Sequence, residues 1–351
     1  MAGSTATAAW IDEQQVESLG RSTGEATRIS EVRREALKRF RELPIEPNPL
    51  YRHYGYFYGV DLTGIDASSP GPRVPVPERR EPGTILIVHD GAGTRATVSP
   101  DLASSGVRVE TLPELLQDAE APVDEGAPLL GAREPPGDRL TALSTAIVNR
   151  GYRLTVPDRW TEPVRIRDIV LFSRPHEALS VDRALRAGAG SQILYTEEVY
   201  ATGELSEEQG QRFHGSSLGV SLRDDAKLVV LGVHAPPYDT VSYYRRRAVL
   251  GPSSRLAWIW IGLGGRATKA RNETLLSGTG SRVHDLQTFY GDRRQSYDSS
   301  VTITHTGTDT QGESITRGVF TDEARGMSRG LVRIEREARK TISFISEHAM
   351  L

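Results

Sequence analysis

Apolar positions near the start of the chain recur with the spacing of a helix. In "RISEVRREALKRFRELP" Val32, Ala36, Leu37 and Phe40 fall on one face, Ser30 can cap the start, and Pro44 stops the run. The pattern predicts one amphipathic helix. "GTILIVHDG" is a continuous apolar run of strand length, and "SSGVRVETLPELLQDA" predicts a short strand entering a helix that Pro113 can open. Proline-punctuated stretches, at 66–83 and again in "EAPVDEGAPLLGAREPPG", flank these elements.

Beyond about Asp138 the helical period fades. "GSQILYTEEVY", "DAKLVVLGV", "SSRLAWIWIGL", "GSRVHDLQTFY", "SSVTITHTG", "GESITRGVF", "RGLVRIE" and "ARKTISFIS" each begin at a small residue or corner and run into alternation of period two. The corner marks Ala226, Ser254 and Ser281 lie 28 and 27 residues apart, and Ala324 and Ala338 lie 14 apart, half that interval. Recurrence of this kind predicts stacked coils, none able to bury its apolar edge alone. In "TRGVFTDEARGMSRGLVRIEREARKTISF" the apolar bursts are separated by Ala-Arg-Gly and Ser-Arg-Gly, read here as corners. A sandwich would favour two-residue hairpins, and Asp90-Gly91 is nearly alone as such a signal. The fold class is therefore mainly β: a β-solenoid core with an N-terminal helical and α+β region. The expected division is a helical arm over 1–65, a linker-flanked small α/β segment over 66–137, and the solenoid over 138–351.

Composition narrows the function. With 34 Gly, 20 Pro and few aromatics the chain is rich in turn formers, as short stacked strands require. A net charge of −3 gives no footprint for nucleic acid or an anionic membrane. There is no cysteine, so no disulfide, zinc thiolate, catalytic thiol or thiolate ligand to an iron–sulfur cluster comes from this chain. "MAGSTATAAWIDEQQ" lacks the basic and apolar regions of a secretory signal and no apolar run is of membrane-spanning length, so the expected location is cytoplasmic.

Chemistry does not announce itself in motifs. Gly262, Gly264 and Ala267 follow a strand as in a dinucleotide fingerprint, with Asp285 near the place of a ribose-binding carboxylate. The fingerprint needs a helix next, and "RATKARNETLLSGTGS" has no stripe of period 3.6. A nucleotide-dependent oxidoreductase on this loop is accordingly an alternative, as is a polysaccharide-binding β-helix. "IVHDGAGT" is also followed by a strand-like stretch. Tyr51, Tyr54, Tyr56, Phe57 and Tyr58 could stack on bases or sugars, though tyrosines that pin an arm onto a body are commoner. The eight histidines show no i, i+4 pair; His305 shares the parity of Val301 and Ile303 and is expected in the core. No catalytic or metal-binding residue is assigned, and cofactor-binding residues remain unknown.

Two stretches carry a family likeness. "DRLTALSTAIVNRGYRLTVPDRWTEPVRI" (138–166) and "HTGTDTQGESITRGVFTDEARGMSRGLVRIEREARKTISFISEHAML" (305–351) resemble the core of the SufB/SufD family of iron–sulfur cluster assembly proteins. The phrases Arg-Gly-Val-Phe-x-Asp-x-Ala-Arg-Gly and Arg-Gly-Leu-Val-x-Ile in the family pattern are its sharpest points. Weaker likeness begins near residue 30, and the lack of cysteine and the N-terminal layout are closer to SufD. The resemblance implies a right-handed parallel β-helix acting as a non-catalytic scaffold with a SufB-like subunit and a SufC-like ABC ATPase. A homodimer is the other pairing it allows. Cluster and ATP would be handled by the wider complex, with no cofactor held by this chain. The family usually continues beyond "SEHAML", so the β-helix core is expected to be C-terminally truncated, with the SufC-docking helices missing and no functional residue transferred to His348.

Overall fold

A computed structural model of the chain describes residues 11–44, 46, 60–77, 81–117, 137–160, 162–202 and 211–350. The tyrosine-rich run at 51–58 and most of the second proline-rich stretch lie outside them. Two helices come first. α1 (Glu13–Thr23) occupies the polar leader; the Asp12 carboxylate accepts from the Gln15 amide at 2.8 Å, and Gly24 ends it at φ 60°. α2 (Thr27–Glu42) starts ahead of Ser30, which therefore does not cap it: the Ser30 hydroxyl instead donates to Glu25 at 2.9 Å. Arg33 rather than Val32 joins Ala36, Leu37 and Phe40 in the interior, because Glu25 receives its Nε at 2.8 Å. No helix among the described residues is long and apolar enough to cross a membrane.

β1 (Thr84–Asp90) and β2 (Gly93–Val98) form an antiparallel hairpin across Gly91 and Ala92, so the isolated Asp-Gly pair does mark a hairpin. α3 (Pro100–Ser104), β3 (Arg108–Thr111), α4 (Leu112–Gln117) and α5 (Arg139–Ala146) follow. The proline-punctuated stretch near Val74 lies on the hairpin, its amide donating to Asp90 at 2.8 Å.

The remaining strands alternate between two sheets. Sheet one stacks β5 (Val164–Phe172), β7 (Gln192–Ala201), β9 (Lys227–His234), β11 (Arg255–Gly262), β13 (Arg282–Gly291), β15 (Gln311–Phe320) and β17 (Ile342–Met350) in parallel, with β1 and β2 beyond β5. Sheet two stacks β4 (Arg150–Val156), β6 (Ala178–Ala187), β8 (Arg212–Leu222), β10 (Thr240–Leu250), β12 (Ala267–Leu276), β14 (Ser296–His305) and β16 (Arg325–Ile334), with β3 antiparallel to β4. The result is a β-solenoid of about seven turns.

Register explains the core. Val164, Ile193, Leu228, Leu256 and Val283 stand in one column across five coils and are all buried, so each coil seals its neighbour's apolar edge. The corner marks stack as well: the Arg255 amide donates to the Ala226 carbonyl and the Arg282 amide to the Ser254 carbonyl, both at 2.9 Å. Ser254 and Ser281 are fully buried, each hydroxyl turned back onto a glycine carbonyl of its own corner at 2.8 Å. Ala324 and Ala338 precede β16 and β17 at opposite corners, which accounts for the half interval. Ser328-Arg329-Gly330, expected as a corner, instead runs through the middle of β16. Its pairing with Ser299, Ser300 and Val301 of β14 holds it extended.

Candidate functional site

The polar side chains that matter are inside the solenoid. On β5, "RIRDIVLF" turns Asp168 inward; on β6, "LSVDRALR" turns Arg183 inward from the opposite sheet. Arg183 donates from Nε to Asp168 Oδ2 at 2.8 Å, and Tyr152 and Tyr195 donate their hydroxyls to the same oxygen at 2.7 and 2.6 Å. One coil further, Glu197 on β7 faces Arg183 Nη1 at 3.4 Å and accepts from Ser216 at 3.1 Å and Arg246 Nη2 at 2.8 Å. Asp168, Arg183, Glu197 and Arg246 thus alternate in sign along the solenoid axis, which is how four buried charges become tolerable.

Aromatic groups extend the network. The Trp260 indole N–H donates to His234 Nδ1 at 2.7 Å, which puts that histidine's own proton on Nε2, 3.3 Å from Glu197 but off line for a hydrogen bond. His234 stacks on Tyr244 at 4.4 Å between centroids, and the Tyr244 hydroxyl meets His214 Nδ1 at 3.1 Å. The Arg246 guanidinium lies 5.7 Å from the Trp258 ring and 5.9 Å from that of Trp260.

The titration of these groups follows from their surroundings. Burial alone would raise Asp168 and Glu197, but the Arg183 guanidinium, joined at Glu197 by that of Arg246, reverses it and leaves both carboxylates below the ordinary range. Burial pushes His89, His214 and His234 down, so they are neutral, and it raises Tyr152 and Tyr195. All of these side chains are closed off from solvent. The arrangement stiffens the coils and offers no exposed nucleophile or base.

A second cluster ties the N-terminal segment to the outside of sheet two. Glu46 accepts from Lys269 Nζ at 2.9 Å and from Arg329 at 3.1 Å, while Asp298 faces the same Lys269 at 3.3 Å. Among the described residues no group of three or more histidines and carboxylates is placed to hold a metal ion.

The residues singled out in the sequence scatter over this frame. Gly262 ends β11 and Ala267 begins β12, so the glycines form a solenoid corner leading to a strand. No helix N-terminus stands there to receive a pyrophosphate. Gly264 is needed for packing, since a Cβ would lie 2.4 Å from the Pro236 carbonyl oxygen. Asp285 points into the core, accepts from Asn272 and Gln287 at 2.9 Å each, and has its pKa raised by burial. His305 is fully buried, with Nδ1 at 2.7 Å from Thr310 Oγ1, whereas His348 is exposed on β17. Asp168, Arg183, Glu197 and Arg246 were missed; their only signal is inward parity in otherwise apolar strands.

The family described as "SUF system FeS cluster assembly, SufBD core domain" matches residues 173–351. The "Iron-sulfur cluster assembly SufBD family protein ycf24" of Porphyra purpurea is 21% identical over 256 residues, 70% of this chain and 51% of the relative. The chain spans about half the length of that relative. Since the matched core covers just over half of the residues and coincides with the stacked coils from β6 to β17, the chain belongs to the SufBD family of the SUF iron–sulfur cluster assembly system.

Proposed function

We propose that the chain is a SufD-like, non-catalytic scaffold subunit that works with a SufB-like subunit and a SufC-like ABC ATPase in the cytoplasm. The carrying observation is a SufBD core in a sequence without cysteine. Such a core brings no thiolate of its own to a nascent cluster. What it brings is stiffness: two continuous parallel sheets joined by buried, paired charges. The cluster is the cargo of the wider complex, and ATP belongs to the ATPase. Co-expression with the SufB-like and SufC-like proteins of the same organism, followed by size exclusion, is expected to recover all three together. Recovery of this chain only as a homodimer, with both proteins left free, would overturn the reading.

A further inference from the structure

The outward face of sheet one carries a surface that neither the interior network nor the proposed scaffold role uses. β9 "KLVVLGVH" and β11 "RLAWIWIG" are near-continuous apolar runs because their outward positions are aliphatic while their inward ones are largely aliphatic or aromatic. Val229 and Leu231 on β9 stand in register with Ala257 and Ile259 on β11, and the second row continues to Leu286 on β13 and Ile315 on β15. Parallel strands of this composition are ordinarily covered on both faces. Here the inner face is core, while Val229 and Leu286 are 36% and 39% exposed. A contiguous apolar patch on a flat sheet marks a contact surface.

One border of the patch is a ladder of cations. Lys227, Arg255 and Arg282 begin β9, β11 and β13 in register, on strands ~4.8 Å apart. All three are exposed, and none of their side chains has an ion pair or hydrogen bond among the described residues. Like charges directly opposite one another on neighbouring strands destabilise a sheet, so the fold does not account for them. The carboxylates on the strands of this face are already engaged, Glu198 with Arg167 at 2.7 Å and Glu313 with His284 at 2.8 Å, while the exposed Asp224, Asp225 and Asp309 sit in the corners ahead of the strands. The unpaired charge on the strands themselves is therefore positive, on a chain whose net charge is −3.

We propose that this face docks an acidic amphipathic helix of a partner protein. The apolar side of the helix covers the aliphatic rows, and a line of Asp or Glu lies over Lys227, Arg255 and Arg282. Side chains at i, i+3 and i+4 on a helix are about 5–6 Å apart, close to the strand spacing, so a helix laid across the strands sets one carboxylate over each cation. A second copy of the chain docked by this same face would bring the same cationic ladder against it, with no acidic row on the strands of that face among the described residues. A bilayer fits less well, because a monotopic anchor sinks its apolar face ~5–10 Å deep, whereas these side chains lie in a flat pleated surface with charge on one border. The inference does not depend on the SufD-like reading.

Fluorescence anisotropy on the full chain tests it, with two synthetic helical peptides that share a leucine stripe and differ in carrying Glu or Lys along its border. The Glu peptide is expected to bind, more weakly as salt rises, and the Lys peptide not to bind. Combining Lys227→Glu, Arg255→Glu and Arg282→Glu should weaken the Glu peptide by at least about tenfold. Lys227→Gln, Arg255→Gln and Arg282→Gln together should hold or raise the urea midpoint, which separates binding from folding. The proposal falls if neither peptide binds, if both bind equally, or if charge reversal leaves the Glu peptide unmoved. Co-sedimentation with phosphatidylserine vesicles that the same reversal abolishes, without peptide binding, would assign the face to a membrane.

Discussion

Arg183 grips Asp168 across the inside of the solenoid, Nε at 2.8 Å from Oδ2 and Nη2 at 3.2 Å from Oδ1, with both side chains fully buried. Each neutralises a charge that the other sheet has taken out of water. Removing Asp168 leaves the buried Arg183 with only Glu197, at 3.4 Å and shared with Arg246, as counter-charge, so Asp168→Asn is expected to cost about 3–5 kcal/mol by urea unfolding. Arg183→Met should cost a similar amount. The double variant should fall short of the sum by about 0.5–3 kcal/mol, because the two lesions share one cause. Strict additivity would show that the two residues act separately.

The same interior sets the pH dependence. His89, His214 and His234 are held below the ordinary histidine value by burial, while in the unfolded chain they titrate near 6.5. Below that pH the unfolded state binds protons that the folded state refuses, so stability must fall as pH drops. Asp168 and Glu197, depressed in the fold, act in the same direction lower down: their contribution is present above about 4 and is lost as pH falls through their folded values. Urea midpoints should be level from about pH 8 to 7, decline below about 6.5 and drop more steeply below about 4. His214→Gln should flatten the upper part of the decline; an unchanged slope would remove His214 as a contributor.

The two sheets differ in how plainly the sequence announces them. Sheet one is legible because Leu228, Val230, Leu256 and Trp258 alternate with outward residues, and because Ala226, Ser254 and Ser281 mark its corners. Sheet two is legible only in part: "SSVTITHTG" and "RGLVRIE" announce β14 and the end of β16, but β6, β10 and β12 turn Arg183, Arg246 and Asn272 inward, where a pattern reader expects apolar side chains. An inward arginine looks like an outward one until its partner is placed, and Glu197 lies 49 residues before Arg246. Asp285 misled for the same reason: its carboxylate serves Asn272 and Gln287 in the core, a role no spacing rule detects.

His305 was legible from parity alone. It continues the inward row of Val301 and Ile303, meets Thr310 through Nδ1 at 2.7 Å and Ser343 through Nε2 at 3.4 Å, and so joins β14 to the next corner and to β17. His305→Ala leaves a cavity and takes one hydrogen bond each from Thr310 and Ser343, whose hydroxyls keep the Gly307 and Gly312 carbonyls, for an expected loss of roughly 1–3 kcal/mol in urea unfolding. The association proposed with a SufB-like subunit should survive below the shifted midpoint. A fully stable variant whose complex lost cluster assembly would overturn the structural role.

β16 and β17 end the two stacks, and no described strand lies beyond either. Their backbones present unpaired N–H and C=O groups, and their side chains include Leu331 and Ile334 at 57% and 53% exposure and Ile342 and Phe344 at 66% and 56%. In the coils below, the equivalent positions gain a strand on both sides; here one side is bare. A flat apolar edge of this kind templates pairing with another chain. A polypeptide of residues 1–351 alone is therefore expected to self-associate in a concentration-dependent way, seen by size exclusion with light scattering. Ile342→Lys with Phe344→Lys should return it to a monomer at the same concentration, since lysines on an edge strand oppose strand addition without touching the core. An unsubstituted 1–351 polypeptide that stays monomeric at every concentration would show that this edge is protected in solution.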